Sequence, residues 1–340
     1  MKQTDFAYTI TKFLSEYLPG QRNVSPNTIR SYRDTYRQLI IFLHETYGLK
    51  PERIIFRNIT PERVIGFLRS LEEVRGVSIN TRNQRLAAIH SFYRYAQTEY
   101  PDILFESQRI LGIPFKKRNL PTVGYLSRVC LSSLLAQPDT STKRGRRDLT
   151  LITMLYDTGA RVQELIDLKA CDVRLQEPAI VTLTGKGSKS RCVPLMEKTK
   201  KLLESYMREI HLLDNGRQQT PLFHNSRYEK FTRPGVSYIL TKHLNLARDR
   251  NPDILFPKAI HPHMLRHTKA VHLLEAGVNL IYIRDLLGHV SITTTEIYLR
   301  TETELKRKAL ENTYPQIDKQ DIPIWEENTE LLQWLTDFCN

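Results

Sequence analysis

The apolar positions of the first 110 residues recur at intervals of three and four, which is the spacing of one face of an α-helix. Four helices are predicted there, and they begin near Phe6, at Pro26, at Pro61 and near Ser78. Both prolines follow a hydroxyl residue, and this pairing of an N-cap with a first-turn proline favours helix initiation. The pattern predicts a small helical domain over residues 1–110.

The helical pattern breaks near residue 109, and residues 111–124 are predicted to form an extended linker. In this stretch Pro114 and Pro121 bracket three consecutive basic residues, Lys116, Lys117 and Arg118. Proline lacks the backbone N–H that a helix interior needs, and it restricts the preceding residue to extended conformations. The basic linker would either follow a phosphate backbone or be an ordinary solvated connection.

The second half of the chain mixes helical periods with two short alternating runs. Residues 180–183 and 191–195 are predicted strands, joined by a glycine-containing hairpin from Thr184 to Ser190. Helices are predicted near residues 127–137, 146–158, 161–169, 196–213, 233–248, 262–275 and 279–287. The predicted fold class is therefore mainly α with a small β-sheet, in which a mixed α/β domain over residues 125–312 follows the helical one. Residues 313–340 are an acidic tail, whose apolar residues predict one short amphipathic helix after Pro323.

Charge is distributed unevenly along the chain, whose net charge is +13. Residues 1–119 carry 19 Lys and Arg against 11 Asp and Glu, residues 120–310 carry 30 against 19, and residues 311–340 carry 1 against 7. Two basic domains are typical of a protein that grips a polyanion such as nucleic acid. The candidate DNA contacts are Arg82, Arg85 and Arg94, on a predicted exposed helix face, and Lys116, Lys117 and Arg118 of the linker.

The sequence has no run of 18 apolar residues, and its N-terminus lacks the apolar core of a signal sequence. These features predict a cytoplasmic protein without membrane association. Its four cysteines lie far apart, with neither a CxxC pair nor zinc-finger spacing, so reduced and mostly buried thiols are expected.

Four separated segments contain residues suited to phosphate chemistry. They are Thr158-Gly159-Ala160-Arg161-Val162-Gln163-Glu164-Leu165, Gly185-Lys186-Gly187, His263-Met264-Leu265-Arg266, and Leu287-Gly288-His289 followed nine positions later by Tyr298. Each alone has a simpler explanation: Arg161 would pair with Glu164 on a helix surface, the glycines would serve only the hairpin, and Tyr298 would be a core residue. The hairpin does not match a P-loop, and the histidines at 263 and 267 lack the Glu of a zinc-protease motif.

Together, and in this order, the segments resemble the tyrosine recombinase (phage integrase) family. That family's pattern is an Arg within Thr-Gly-x-Arg-x-x-Glu-Leu, a hairpin Lys, a His-x-x-Arg box, a Leu-Gly-His box and a Tyr nine residues after its His, and each element occurs here. The resemblance covers residues 125–312. It extends more weakly to Ser78–Tyr95, which is similar to the core-binding domain of Xer and integrase proteins. It implies a SAM-like helical bundle followed by a tyrosine recombinase catalytic domain.

The resemblance implies a DNA strand transferase that needs neither a metal ion nor another cofactor. Tyr298 would attack a DNA phosphate and store the broken bond as a 3′-phosphotyrosine. Arg161 and Arg266 would hold the non-bridging oxygens through paired N–H donors, which suits the negative charge that builds there. Glu164 would position Arg161.

Three further groups would handle protons and orientation in the implied site. Lys186 would protonate the leaving 5′-oxygen, His263 would assist proton transfer at the nucleophile, and His289 would hydrogen-bond a phosphate oxygen. Lys189 lies three residues after Lys186 and would replace it in another hairpin register. His261 competes with His263, although only His263 has the x-x-Arg spacing.

The resemblance also implies partners and a biological setting. A homotetramer would bind double-stranded DNA recombination sites and exchange strands through a Holliday junction, and an accessory DNA-bending protein is a candidate partner. The chain continues from Tyr298 to Asn340, which favours an integrase or transposase of a mobile element over an Xer-type chromosome or plasmid dimer resolvase. This tail would dock on a neighbouring subunit or fold back on its own domain. Tyr282, near the Leu-Gly-His box, is expected in a helix core.

Three other classes of protein share parts of this pattern. A non-catalytic DNA-binding regulator on the same scaffold would not need the full set of reactive residues. A topoisomerase IB-like enzyme would share the chemistry but act as a monomer on DNA of any sequence. A metal-dependent transposase is disfavoured, because two fixed guanidinium groups would replace the metal ions that stabilise charge in many phosphoryl transfers.

Overall fold

The computed structural model describes residues 3–117, 124–185, 189–225 and 227–288. Packing divides the chain into two compact units, and the division falls near residue 120, within the range predicted as a linker. Each unit has a hydrophobic core of its own. No helix in the described ranges combines the length and the apolar composition that crossing a membrane requires.

The first unit is a bundle of helices. They are α1 (Asp5–Lys12), a π-helix that continues it (Phe13–Gln21), α2 (Pro26–Tyr47), α3 (Pro61–Glu73), α4 (Ile79–Glu99) and α5 (Leu104–Leu111). The side-chain oxygens that accept a backbone N–H at the starts of α1 to α4 belong to Thr4, Ser25, Thr60 and Ser78. The two hydroxyl–proline pairs therefore open helices as the sequence predicts.

Phe92 on α4 is the centre of the core of this unit. Its ring centroid lies 5.7 Å from that of Phe6, 5.3 Å from that of Phe13 and 5.1 Å from that of Tyr36, each in an edge-to-face arrangement. Aromatic rings prefer this geometry because the positive edge of one faces the negative surface of the other. Since the three partners come from α1, the π-helix and α2, this cluster fixes α4 against the other helices.

Two features of the first unit differ from the sequence prediction. The apolar face that begins near Phe6 is not one regular helix, because the π-helix follows α1 and contains Pro19, which cannot donate the backbone hydrogen bond of an α-helix. In addition, α5 is not predicted and reaches Leu111, inside the predicted linker. Its N-cap residue, Ile103, has no side-chain oxygen that would mark a helix start, and burial of Ile110 in the bundle stabilises the helix.

The second unit combines helices with a small sheet. Its helices are α6 (Arg128–Leu135), α7 (Lys143–Asp157), α8 (Val162–Asp167), α9 (Glu197–Glu209), α10 (Arg233–Arg250), α11 (Pro262–Glu275) and α12 (Leu280–Leu287). Its strands are β1 (Val173–Arg174), β2 (Ile180–Thr184) and β3 (Ser190–Pro194). The predicted fold class, mainly α with a small β-sheet, is confirmed.

The sheet is antiparallel, with the strand order β1-β2-β3. Val181 of β2 lies opposite Val193 of β3, and Thr184 lies opposite Ser190, where the predicted hairpin begins and ends. The sequence does not predict β1, because two residues are too few to show an alternating pattern. The buried side chains of β2 and β3 face the core of this unit.

The cysteines are less buried than the sequence predicts. Cys130, Cys171 and Cys192 are free, but only Cys130 of these three is buried. The other two lie beside β1 and on the exposed face of β3, where a small side chain needs no apolar surroundings. Cys339 lies outside the described residues.

Candidate active site

Arg161 is placed by the turn between α7 and α8. Gly159 adopts the left-handed conformation in this turn, with a φ of 57°, which a residue without a side chain adopts at little cost. Arg161 is then the N-cap residue of α8. Its Nη1 donates to Oε1 of Glu164 at 2.7 Å, and its Nη2 donates to the backbone oxygen of Gly288 at 3.2 Å. The side chain is 37% exposed, so a ligand can reach the guanidinium group.

Arg266 is held on the buried face of α11 and is only 3% exposed. Its Nη1 donates to the backbone oxygen of Gly159 at 2.7 Å, and its Nη2 donates to that of Leu287 at 2.5 Å. These acceptors belong to the Thr-Gly-x-Arg segment and the Leu-Gly-His box. Three of the four separated segments of the sequence therefore meet at this guanidinium group.

The carboxylate of Glu164 is buried between two arginines. Besides Nη1 of Arg161, it accepts the backbone N–H of Arg161 at 2.9 Å, and Nη1 and Nη2 of Arg191 at 3.1 and 2.8 Å. Burial alone would raise the pKa of this carboxyl, but hydrogen bonds and positive charge from Arg191 and Arg161 lower the pKa to about 2. Glu164 is therefore ionised at neutral pH and contacts Arg161 as a positioning residue would.

Arg191 belongs to this cluster, although no motif in the sequence singles it out. It lies on β3, and its Nε donates to the backbone oxygen of Leu286 at 2.8 Å. Successive strand residues point to opposite faces, so Arg191 shares the inward face with the buried Val193. A charged residue at an inward-facing strand position is the signal that would have indicated it.

The hairpin between β2 and β3 begins directly against Arg161 and Glu164. A Cβ atom on Gly185 would lie 2.9 Å from Oε1 of Glu164 and 3.6 Å from Nη1 of Arg161. The first of these separations is too short for a side chain, so the close approach requires glycine. Lys186, the next residue, lies outside the described residues. Lys189 is described, and it is exposed where the hairpin re-enters β3.

The histidines at the start of α11 differ in their contacts. Nδ1 of His261 accepts the backbone N–H of Met264 at 3.2 Å, so His261 caps the helix. Desolvation, followed by the charge of Arg266 and other basic neighbours, lowers the pKa of His263 below its ordinary value. His263 is consequently neutral at pH 7, which is the form that accepts a proton.

Tyr282 is not a core residue, contrary to the sequence prediction. It is 70% exposed, whereas Ile283 and Leu287 of the same helix are buried. The buried face of α12 therefore includes Ile283 and Leu287 but not Tyr282. His289 and Tyr298, which follow α12, and the tail from residue 313 lie outside the described residues.

Two of the predicted DNA contacts are occupied inside the first unit. Arg82 is 6% exposed, and its Nη1 donates to the backbone oxygen of Pro114 at 3.1 Å. Arg85 donates from Nη1 to the backbone oxygen of Ser31 and to Oγ1 of Thr35, both at 3.0 Å. The predicted exposure of Arg82 is wrong, because its side chain ties α4 to the segment after α5. Arg85 is half-buried and joins α4 to α2.

The other basic candidates in this unit are exposed. Arg94 lies on the solvent face of α4, and Lys117 is exposed at the end of the first described range. Lys116 is exposed as well, but its Nζ forms an ion pair with Glu72 at 2.8 Å. Arg118 lies outside the described residues.

Family models match both units of the chain. Residues 125–304 match the model of the phage integrase family, and residues 10–100 match the model of the phage integrase N-terminal SAM-like domain. The first range contains the candidate site, and the second contains most of the helical bundle.

Relatives match over nearly the whole chain. The chain is 39% identical over 314 residues to a putative integrase/recombinase, y4rC, of Sinorhizobium fredii, covering 92% of this chain and 93% of the relative. It is 33% identical over 303 residues to the tyrosine recombinase XerC of Oceanobacillus iheyensis, covering 88% of this chain and 94% of the relative.

Solved structures share the fold. The structure of the Tn1549 transposon integrase in complex with transposon right end DNA aligns with a TM-score of 0.68 at 18% identity, covering 89% of this chain and 99% of that one. The XerH site-specific recombinase bound to a palindromic difH substrate aligns with a TM-score of 0.66 at 23% identity, covering 90% and 82%.

Proposed function

Because the chain belongs to the phage integrase family of tyrosine recombinases, we propose that it cuts and rejoins DNA through a covalent bond between Tyr298 and a 3′-phosphate. The observation that carries this proposal is the meeting of Arg161 and Arg266 at the end of α12, immediately before the segment that contains Tyr298. Two guanidinium groups at one point can hold the non-bridging oxygens of a phosphate as charge builds on them.

In the proposed reaction, the bond between the Tyr298 oxygen and phosphorus forms as the bond from phosphorus to the 5′-oxygen breaks. A tyrosine hydroxyl is protonated at neutral pH, so His263 accepts its proton. Lys186 donates a proton to the leaving 5′-oxygen, and His289 hydrogen-bonds a non-bridging oxygen. A 5′-hydroxyl then attacks the phosphotyrosine and reverses these transfers, so the phosphodiester energy is kept.

The proposed assembly is a homotetramer on two double-stranded DNA sites, with strand exchange through a Holliday junction. One unit would lie against DNA through its exposed basic residues, among them Arg94 and Lys117. An accessory DNA-bending protein and a cytoplasmic location belong to the same proposal. For the acidic tail, docking on a neighbouring subunit is the role we propose.

A mobile element is the biological setting we favour. The chain continues well beyond Tyr298, and a relative that is 39% identical is described as a putative integrase/recombinase. A second candidate, an Xer-type dimer resolvase, is supported by 33% identity to a XerC protein. Sequencing the DNA on both sides of the gene separates them, because terminal repeats would mark a mobile element and their absence would favour the resolvase.

Covalent capture tests the chemistry directly. The full chain is incubated with sheared chromosomal DNA in EDTA, the reaction is stopped with SDS, and the protein-bound fragments are sequenced. The wild-type protein should yield fragments that end at one recurrent sequence, and Tyr298→Phe should yield none. Absence of a wild-type adduct, or an adduct in Tyr298→Phe, would overturn the proposal.

Three controls separate the rival classes. A regulator without catalytic activity would bind the recovered sequence but form no adduct. A topoisomerase IB-like enzyme would relax a supercoiled plasmid that lacks the recovered sequence, whereas a site-specific recombinase would leave that plasmid supercoiled. In a parallel reaction with Mg²⁺ in place of EDTA, DNA cleavage that occurs only with the metal ion would favour a metal-dependent transposase.

A further inference from the structure

The end of α12 is held by three arginines from three different elements. The backbone oxygens of Leu286, Leu287 and Gly288 accept from Arg191, Arg266 and Arg161, respectively. The last carbonyl groups of a helix have no partner inside it and carry the negative end of its dipole. Three cations therefore fix the point from which the chain continues towards His289 and Tyr298.

Arg191 differs from the other two arginines in what else it contacts. Its Nη1 and Nη2 form a bidentate pair with Glu164, at 3.1 and 2.8 Å, while its Nε remains with Leu286. Its side chain is 13% exposed, against 37% for Arg161. Each of its three guanidinium nitrogens thus donates to a protein atom, and two of them donate to the carboxylate of Glu164.

Glu164 transmits the position of Arg191 to Arg161. Oε1 of Glu164 accepts from Nη1 of both arginines, and Oε2 accepts from Nη2 of Arg191 and the backbone N–H of Arg161. A carboxylate with this many directed donors has one orientation. The carboxylate also sets the direction of the Arg161 side chain. A substitution at Arg191 that shifts Glu164 is therefore expected to shift Arg161 as well.

The backbone of Gly288 packs closely against the Arg191 side chain. Its φ is 63°, and a Cβ atom there would lie 3.1 Å from both Cδ and Nη1 of Arg191. The backbone conformation favours glycine at this position, and a side chain there would in addition displace Arg191 by a few tenths of an ångström. The glycine of the Leu-Gly-His box thus allows the Arg191 side chain to pack closely against the end of α12.

We propose that Arg191 is a positioning residue for DNA cleavage, which aims Arg161 through Glu164 and fixes the end of α12 through Leu286. This proposal rests on the function proposed above. Arg191 lies outside the recognised motifs. In this role it aligns the guanidinium group of Arg161, which would hold the phosphate, with the chain segment that contains Tyr298. A small misalignment of reacting groups lowers the rate without preventing binding.

Two substitutions separate positioning from DNA contact. Arg191→Met keeps the length of the side chain but removes every donor, and Arg191→Lys keeps the charge but not the bidentate fork. The probe is a nicked duplex that carries the sequence recovered by covalent capture. At saturating DNA, Arg191→Met should slow single-turnover adduct formation by roughly 10- to 100-fold, with partial recovery in Arg191→Lys. The Kd for the duplex should stay within about threefold of wild type, because both Nη groups of Arg191 donate to the carboxylate of Glu164 rather than to the ligand.

The double variant tests the route through Glu164. If Arg191 acts through this carboxylate, Glu164→Gln combined with Arg191→Met should be little slower than the slower single variant. Rate losses that multiply would overturn this route. Arg174→Met is the matched control, because Arg174 lies on β1 of the same sheet and donates to the backbone oxygen of Pro178 instead; its cleavage rate should equal that of wild type.

The outcomes distinguish this inference from the proposed function. If the wild-type protein forms no adduct, the proposed function fails. If wild type forms the adduct and Arg191→Met forms it at the same rate, only the positioning role fails. A loss of DNA affinity that matches the loss of rate would make Arg191 a DNA contact and overturn the proposal. If thermal unfolding shows Arg191→Met to be unfolded, the rate and Kd of Arg191→Lys decide by the same criteria.

Discussion

Partly or fully buried arginines donate to backbone carbonyl groups in both units of the chain, but with different neighbours. In the first unit, Arg82 binds the oxygen of Pro114 and Arg85 binds that of Ser31, so each joins α4 to a separate segment. In the second unit, the arginines at the N-cap of α8, on β3 and on α11 bind three successive oxygens at the end of one helix. The first arrangement holds a fold together, and the second concentrates positive charge at one point.

This difference shows what distinguishes a structural arginine from a site arginine. The residue type, the burial and the backbone acceptors are shared between the two units. The second unit differs in that three arginines converge on one helix end. It also has the buried carboxylate of Glu164, which fixes two of these arginines relative to each other. Net charge along a sequence therefore indicates a polyanion partner, but it does not identify the cations that act on the partner.

Removing a converging guanidinium should have the largest effect. Arg161→Met and Arg266→Met are each expected to slow adduct formation by roughly 10²- to 10³-fold, because each removes a donor to the charge that builds on the phosphate. Single-turnover rates with the nicked duplex measure this. Arg82→Met is the matched change in the other unit and should leave the rate per folded molecule unchanged. If Arg82→Met and Arg266→Met lost the same fraction of the cleavage rate, the distinction between structural arginines in the first unit and site arginines in the second would be wrong.

Acid should weaken the second unit through Glu164. The pKa of this carboxyl is about 2, below its ordinary value of 4.5, so its ionised form stabilises the fold above pH 4.5. This contribution, on the order of 3 kcal/mol, is lost as the pH falls from about 4.5 towards 2. In urea titrations between pH 7 and 3, Glu164→Gln should therefore be less stable at neutral pH and lose less stability on acidification. An acid dependence identical to that of wild type would show that the carboxyl is not held in this way.

Arg82 should matter for stability rather than for DNA. Arg82→Met removes the hydrogen bond from α4 to the backbone oxygen of Pro114 and should cost about 1–3 kcal/mol of unfolding free energy. Urea denaturation measures this loss, and the Kd for the duplex should be unchanged under conditions in which the variant is folded. If Arg82→Met has the stability of wild type but a reduced affinity for DNA, Arg82 contacts DNA and the structural role is wrong.

Exposed cations of the first unit should give the smallest effect. Arg94→Gln is expected to weaken DNA binding only a few-fold and to lower the slope of log affinity against log salt by about 1, as for a single phosphate contact. Its stability should match that of wild type. Titrations at several salt concentrations measure the slope, and an unchanged slope would place Arg94 away from the DNA.

The sequence predicts the elements better than it predicts which side chains they expose. Capping residues and apolar periods locate nearly every helix, because these signals are local. The helix α5 is missed because its N-cap residue, Ile103, gives no capping signal, and β1 is missed because it has only two residues. The exposure of Arg82 and the burial of Tyr282 are mispredicted, because each depends on which neighbouring segment packs against the helix, and a single helix period does not contain that information.

The candidate site divides in the same way. Arg161, Glu164 and Arg266 are indicated by motifs whose order and spacing match a family, and the structure brings these three together. Arg191 belongs to no motif, and its importance arises from the fold, which turns an inward-facing strand position towards Glu164 and the end of α12. Sequence patterns identify groups that act on a substrate more readily than groups that hold those groups in place.

The central claim is that Tyr298 bonds covalently to DNA, and peptide mapping of the captured adduct tests it most directly. Trypsin cleaves after Arg284 and Arg300, so Tyr298 falls in the peptide that spans residues 285–300. After nuclease digestion, fragmentation by mass spectrometry should place a nucleotide-derived mass on Tyr298 of this peptide. A mass on another residue, or an adduct in which this peptide is unmodified, would contradict the account.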